Sequence, residues 1–329
     1  PVPFARQTLT DKDINPYLSD SSKAEVLKRM SGYRYGSMFL PPGKIPSLIF
    51  PGFDGGAEWG GPAYDPTTGL MYINANEMAW VMTMIDSKQD APKTENFIQA
   101  GQRLFTNNCM GCHGQDRKGT GNYPSLINIG SKYKDDQINA LLQTGRRMMP
   151  SFKQLTSQER QAIISYITTN TKTGSNAFID THKAIDPYLD IPYQMTGYNK
   201  FLSKEGYPAI SPPWGTLNAI NLNTGQLAWR IPLGNDTAFA QKGRPATGTE
   251  NYGGPVVTAG GLVFIAATKD GKIRAFNKRT GKQVWEAKLP ASGFATPSAY
   301  EIDGKEYLVI ACGGGKLGTK SGDAYVAFA

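Results

Sequence analysis

The chain has 329 residues, enough for one large domain or two ordinary ones. Its 37 Gly, 22 Pro and 11% aromatic share suit a turn-rich β architecture better than a helix bundle. The net charge is +8, but Lys and Arg are scattered without a basic run, which argues against nucleic acid and for an acidic protein partner.

No run of about 18 apolar residues offers a membrane span. The chain opens Pro1-Val2-Pro3 without an initiator Met or a recognisable signal peptide, so a processed chain or a piece of a longer polypeptide is expected. Gly60-Gly61-Pro62 leads into Gly69-Leu70-Met71-Tyr72-Ile73, read as inner strands over about residues 61 to 76. Thr94 then precedes a helix-like stretch with Phe97, Leu104 and Phe105 on one side.

That helix runs into Cys109-Met110-Gly111-Cys112-His113, the spacing of c-type haem attachment. In that chemistry the two thiols bond covalently to haem c and the imidazole reaches the iron from one side. A zinc site needs four ligands. The remaining Cys and His, Cys312 and His182, are far away in sequence, and His182 reads as a surface or loop histidine. With two of three cysteines on haem, Cys312 is left unpaired and no disulfide framework forms within the chain. Haem attachment of this kind takes place outside the cytoplasmic membrane in bacteria, so a periplasmic location is expected.

Asp135 to Thr144 carries Ile138, Leu141 and Leu142 at helical spacing and stops at Gly145. Gly145-Arg146-Arg147-Met148-Met149-Pro150 then offers two thioethers for a second axial position on the iron, although either Met could simply pack in a core. A His/Met pair suits an electron carrier of raised potential. Thr156-Ser157-Gln158-Glu159 is a capping box opening a last helix with Ala162, Ile163, Tyr166 and Ile167 on its apolar stripe, ending near Asn170. Three helices and the haem motif within residues 95 to 172 resemble a small class I cytochrome c. The resemblance points to Met149, the Met directly before Pro, as the axial ligand over Met148. This segment holds ten Lys and Arg against five Asp and Glu. Arg146 and Arg147 are placed to pair with haem propionates or steer an acidic partner, or else form a solvated loop.

After residue 210 the pattern changes to short β-branched and aromatic runs broken by Gly turns. Thr224-Gly225 with Trp229 repeats as Thr280-Gly281 with Trp285, 56 residues on in each case. Gly60-Gly61-Pro62 with Gly69 to Ile73 repeats as Gly253-Gly254-Pro255 with Gly261 to Ile265. Repeats worth about four strands each indicate propeller blades. One blade then has inner strands near 61 to 76 and outer strands at 214 to 232, with the helical island and a return through Pro187, Pro192 and Pro208 between them. A second runs from about 253 to 289. A third uses 295 to 302, 306 to 312 and 324 to 328, and stops one strand short. The expected fold is mostly β: about three blades of a larger propeller, with an all-α cytochrome c domain inserted in one of them. The boundaries are 1–92 for a connecting segment and first strands, 93–173 for the cytochrome and 174–329 for the remaining blades. So few blades cannot close a ring of four to eight, so the rest of the propeller is expected upstream or on a separate subunit.

Phe50-Pro51-Gly52-Phe53-Asp54-Gly55-Gly56-Ala57-Glu58-Trp59-Gly60-Gly61 and the Thr-Gly-x-x-x-Trp signature resemble quinoprotein dehydrogenases that use pyrroloquinoline quinone (PQQ), nearest to the C-terminal part of membrane-type glucose-dehydrogenase-like members. Pro213-Trp214-Gly215, Ala295-Thr296-Pro297 and residues 313 to 323 carry the same resemblance. It implies an eight-bladed propeller with PQQ and Ca2+ near its axis, oxidising a sugar (a glucose-like aldose) or an alcohol and passing electrons on singly. An inserted haem would be the first acceptor, followed by an external one such as another cytochrome or a quinone. The membrane-type glucose enzymes lack this insert, which puts their usual acceptor, membrane quinone, in doubt here. Membrane association would come through a part outside this chain.

By the same resemblance the catalytic aspartate, the calcium-binding acids and most PQQ contacts fall outside the chain. Glu58, Trp59, Asn74, Tyr252 and Lys316 remain as PQQ-neighbourhood candidates, Asn74 aligning with an asparagine that reaches the quinone in relatives. The competing roles are blade packing for Trp59 and Tyr252 and a solvated turn for Glu58 and Lys316; Trp229 and Trp285 read as inter-blade packing. The competing function is a non-catalytic electron-transfer subunit on a propeller docking scaffold.

Overall fold

The computed structural model describes residues 2–86, 94–119, 123–169, 175–179 and 192–329. The chain divides into two compact units, one of Pro1–Pro41, Ser47–Val81 and Lys200–Ala329, the other of Pro42–Pro46 and Met82–Asn199. His182 and Pro187 lie outside the described residues.

Three antiparallel sheets follow one another in the first unit. The first is built from β1 (Ala63–Asp65), β2 (Leu70–Asn76), β3 (Gly215–Asn221) and β4 (Gln226–Pro232). β2 and β3 pair over seven residues, from Leu70 opposite Asn221 to Asn76 opposite Gly215, although residues 77–214 separate them in the chain. The second sheet has β5 (Val256–Val257), β6 (Leu262–Ile265), β7 (Lys272–Asn277) and β8 (Gln283–Lys288) in sequential order. The third has β9 (Ser298–Ile302), β10 (Lys305–Cys312) and β11 (Ala324–Phe328). Strand β10 alternates half-buried and buried from Tyr307 onward, burying Leu308, Ile310 and Cys312 on one face.

The repeats have a structural cause. Trp229 stands opposite Ala219 beside a bulge in the first sheet, and Trp285 opposite Ala275 beside the matching bulge in the second. Trp229 lies flat over Gly281, where a Cβ would come within 2.7 Å of its indole, and donates from Nε1 to the Lys278 carbonyl at 3.1 Å. Trp285 packs edge-on against Phe328 of the third sheet at 5.2 Å. The repeated Gly-Gly pairs meet each other: a Cβ on Gly60 would lie 2.3 Å from Gly253 backbone, and one on Gly254 2.6 Å from the Gly60 carbonyl. Only glycine allows main chains this close. Apolar burial joins the first two sheets through Tyr72, Leu217, Leu233, Val263 and Phe276, and the second and third through Ile273, Leu289, Ile310 and Cys312.

The second unit packs α2 (Phe97–Asn108), α3 (Met110–His113), α4 (Asp135–Thr144) and α5 (Ser157–Thr168), numbered after α1 (Asp20–Ser31) of the first unit. Helix α2 starts two residues later than Thr94 suggests. Asn96 is its cap, because the Asn96 side chain accepts from Gln99 N–H while Gln99 reaches back to the Asn96 N–H. Thr156 and Glu159 form the same reciprocal pair at the start of α5. Gly101 lets α2 cross α5 closely, since a Cβ there would sit 2.1 Å from the Ala162 carbonyl. Leu104, Phe105, Met110, Ile138, Leu142, Ile163 and Ile167 fill the core between the helices. Among the described residues no helix is long and apolar enough to cross a membrane.

The first two sheets are also tied by a buried ion pair, Lys278 Nζ to Asp65 Oδ2 at 2.9 Å. Burial works to raise the Asp65 carboxyl, but hydrogen bonds from Thr68, Lys278 and Thr67 prevail and hold it well below the usual range. The stability it contributes is present above about pH 4 and is lost as pH falls further. Lys278→Met leaves Asp65 charged and buried without its partner, at a cost of about 3–5 kcal/mol. Denaturant unfolding of the two proteins at pH 7 measures that difference.

Candidate functional site

In the first unit, a cluster of polar side chains gathers where the inner strands of the first two sheets begin. Asn74 and Asn76 close β2, both buried. Asn76 accepts the Asn251 N–H at 2.8 Å and donates to the Asn251 carbonyl at 3.0 Å and to Glu58 Oε1 at 2.5 Å. Asn74 donates to Asn251 Oδ1 at 2.6 Å and to the Gly253 carbonyl at 3.0 Å. Asn251 in turn gives its own amide to the carbonyls of Ala75 and Thr249. These three amides replace the ladder hydrogen bonds that neighbouring sheets cannot share.

Four ionisable groups face Glu58. It lies just ahead of β1, beside Ala57, which bridges to Ala75, and it is 9% exposed. Asp54 takes a 2.8 Å hydrogen bond from the Tyr252 hydroxyl. The Lys316 ammonium stands 3.8 Å above the Tyr252 ring. Glu250 pairs with Lys200 at 2.6 Å. Burial first, and then the neighbouring Asp54 charge, push the Glu58 carboxyl up to about 7, against the pull of the Asn76 bond and Lys316. Burial and Asp54 likewise raise the Tyr252 hydroxyl, and burial raises Glu250 against Lys200. Oδ2 of Asp54 and Oε1 of Glu250 are buried without a hydrogen-bond partner.

The solvated turn weighed for Glu58 therefore does not describe it, whereas Trp59 beside it is 72% exposed and packs little. Glu58, Tyr252 and Lys316 come together. Asn74 lies in the same buried network, with both amide hydrogens committed between the sheets. Sequence reading missed Asp54, Asn76, Glu250, Asn251 and Lys200. The available signal was a polar residue at alternate positions, 74 and 76, in an otherwise apolar strand.

The second unit brings its motif residues onto one turn. Cys109 and His113 are buried and Cys112 half-buried, with the His113 N–H bonded back to the Cys109 carbonyl at 2.9 Å. His113 Nδ1 lies 2.9 Å from the Pro124 carbonyl. A carbonyl can only accept, so Nδ1 carries the proton and Nε2 keeps its lone pair. Burial, with the Cys112 thiol next to it, pushes the Cys109 thiol up to about 12, and burial raises Cys112 against a hydrogen bond with Tyr123. Among the described residues no three His, Cys, Asp or Glu side chains are grouped to hold a metal ion.

The two methionines separate cleanly. Met149 is partly buried against the core of the helices, while Met148 is 65% exposed. A tight turn joins Arg146 and Met149 by reciprocal backbone hydrogen bonds of 2.9 and 3.0 Å. Gly145 at φ 72° makes the turn possible, since a Cβ there would come 2.6 Å from the Met149 carbonyl. Arg146 and Arg147 are exposed on that turn.

A family model described as the PQQ-class glucose/ethanol/alcohol dehydrogenase β-propeller domain matches residues 1–120 and 116–308. The chain belongs to the PQQ-dependent quinoprotein dehydrogenase family. It is 30% identical over 306 residues to quinoprotein glucose dehydrogenase of Escherichia coli (strain K12), covering 90% of this chain and 28% of that protein. It is 29% identical over 304 residues to quinate/shikimate dehydrogenase (quinone) of Acinetobacter baylyi, with the same two coverages. Over 154 residues, 45% of this chain and 19% of the relative, it is 42% identical to quinoprotein glucose dehydrogenase A of Acinetobacter calcoaceticus. The chain thus spans a little over a quarter of the first two relatives. The β unit accordingly has a quinoprotein propeller-like fold of several sheets that do not close into a ring.

PQQ is a flat quinone edged by carboxylates. The exposed indole of Trp59 and the Lys316 ammonium on its Gly-rich loop fit such a group, one offering a flat face and the other a positive charge. Replacing Asn76 by Ala removes three hydrogen bonds and leaves the Asn251 N–H and Glu58 without partners. The expected cost is about 3 kcal/mol, read as a lowered midpoint in denaturant unfolding of the full-length quinoprotein.

Proposed function

We propose that this chain is the C-terminal section of a periplasmic PQQ-dependent sugar or alcohol dehydrogenase that carries its own haem c. The observation that carries the reading is His113. It is buried on the same turn as Cys109 and Cys112, and its Nδ1 is bonded to Pro124 so that Nε2 is left to bind iron. Cys109 and Cys112 would hold the haem covalently, and Met149, packed against the same core, would complete the iron's axial pair. The cytochrome proposed for residues 93–173 then stands within the chain between β2 and β3, with 1–92 and 174–329 supplying propeller strands.

In this reading Trp59 and Lys316 hold PQQ, which supplies two-electron oxidation of the substrate when bound. Glu58 and Tyr252 line its surroundings, and Asn74 fixes the strand ends behind them. Calcium, the catalytic aspartate and the other blades belong to the rest of the polypeptide or to a partner subunit. Arg146 and Arg147 favour an acidic external acceptor, such as another cytochrome. An aldose or alcohol is the substrate class that the glucose dehydrogenase relatives and the description of the family model suggest.

The test uses the full-length protein matured in a host that attaches haem c. Covalent haem absorbance should survive denaturation in the wild type and vanish when Cys109 and Cys112 are both changed to Ser. With PQQ and Ca2+ present, an aldose or alcohol should reduce the haem. Met149→Ala should lower the haem midpoint potential, whereas Met148→Ala leaves it unchanged. Absence of covalent haem, or a haem reduced by no aldose or alcohol, overturns the proposal.

A further inference from the structure

Among the candidates in the β unit, Glu58 is a buried acid to which the binding of PQQ gives no task of its own. Its carboxyl is buried, receives a hydrogen bond from Asn76, and is surrounded by further ionisable groups. Asp54 and Glu250 add negative charge, each with a buried oxygen that no donor reaches. Lys316 and Lys200 add positive charge, the first over the Tyr252 ring and the second on Glu250. Tyr252 gives its hydroxyl to Asp54. Three carboxyl groups share two ammonium groups in a largely sheltered cluster, and leaving the third carboxylate unpaired there is costly. The arrangement is electrically economical only when one carboxyl carries a proton.

We propose that Glu58 is that carboxyl, and that it serves as the proton-holding group of the electron-exit step. The inference rests on the dehydrogenase reading. Oxidation of an alcohol or aldose hydroxyl to a carbonyl breaks one C–H and one O–H bond and releases two electrons and two protons. The electrons would leave one at a time through the single haem, which the external acceptor would reoxidise after each. The Glu58 carboxylate takes one of the protons, forming its O–H, and gives it to solvent before the next cycle, while the other is taken by a base of the rest of the polypeptide and released to solvent. The rise of its ionisation to about 7 suits a group that loads and unloads near neutral pH. Asn76 holds the carboxyl in place in both states, since its N–H can bond to either form.

The test compares full-length wild type, Glu58→Gln and Asp54→Asn. An acid whose folded-state ionisation is raised stabilises the fold fully below its ordinary value of about 4.3 and loses that contribution as pH rises through about 7. The wild-type unfolding temperature should therefore fall between those values, and Glu58→Gln should remove that component. Asp54→Asn takes away a neighbouring negative charge while keeping an acceptor for Tyr252, so the fall should end at lower pH. Substrate-driven haem reduction should show a midpoint near pH 7 that Glu58→Gln abolishes, while chemical reduction of the haem stays unchanged. If both variants keep the wild-type unfolding slope and midpoint, the role of Glu58 is overturned. The same holds if the unfolding slope moves but the pH profile of haem reduction does not. A wild type whose haem no aldose or alcohol reduces instead overturns the dehydrogenase reading, and with it the use of the proton, while the unfolding series still reports whether Glu58 holds one.

Discussion

The amide network of Asn74, Asn76 and Asn251 is the constraint on which the β unit depends. Antiparallel sheets satisfy their own backbone groups, but where two sheets meet face to face the strand ends have no ladder to share. The three side chains bridge that gap with hydrogen bonds of 2.5 to 3.2 Å, and Asn251 uses both its amide and its own backbone groups. Because these bonds have direction, they fix the angle and height at which the first two sheets meet, which apolar contact between Tyr72, Leu217 and Val263 leaves free. Glu58 is held at its position by the same network. The chemistry proposed for it follows from a packing requirement.

Glycine works with this network. The contact of Gly60 with Gly253 and Gly254 brings two main chains together at the start of their inner strands. Thr296 reaches the same place and donates to the Gly60 carbonyl at 3.1 Å. Three consecutive sheets therefore converge on one backbone junction. Any side chain at Gly60 would push them apart and displace Trp59 and Glu58 with them.

Much of this was legible from sequence, for physical reasons. The 56-residue repeat reports the position of Trp229 and Trp285 beside equivalent bulges, and each Trp needs a glycine turn at φ 70° ahead of it. The capping boxes and Gly145 stop of the helices are local, so they read directly from neighbouring residues. Asp54, Glu250 and Lys200 were not legible, because their meaning comes from burial beside residues far away in the chain. An acid in a Gly-rich segment looks solvated until a second sheet covers it. Met148 and Met149 were equivalent by residue type, and resemblance alone favoured one. The turn at Arg146 to Met149 distinguishes them physically, sending one thioether toward the core and the other to solvent.

The long excursion between β2 and β3 costs the sheet little. The entropy of closing a loop grows only with the logarithm of its length, about 0.6 kcal/mol for each doubling. Against this, seven paired residues from Leu70–Asn221 to Asn76–Gly215 pin both ends of the excursion in register. A slip of one residue would turn Tyr72, Leu217 and Ala219 out of the core, so the pairing is defended by burial as well as by hydrogen bonds. The helices between those ends have a core of their own, which includes Leu104, Phe105, Ile138, Ile163 and Ile167. Asn74 and Asn76 lie at one end of that pairing and position Glu58, so the cluster proposed to manage protons depends on the register in which β2 and β3 pair.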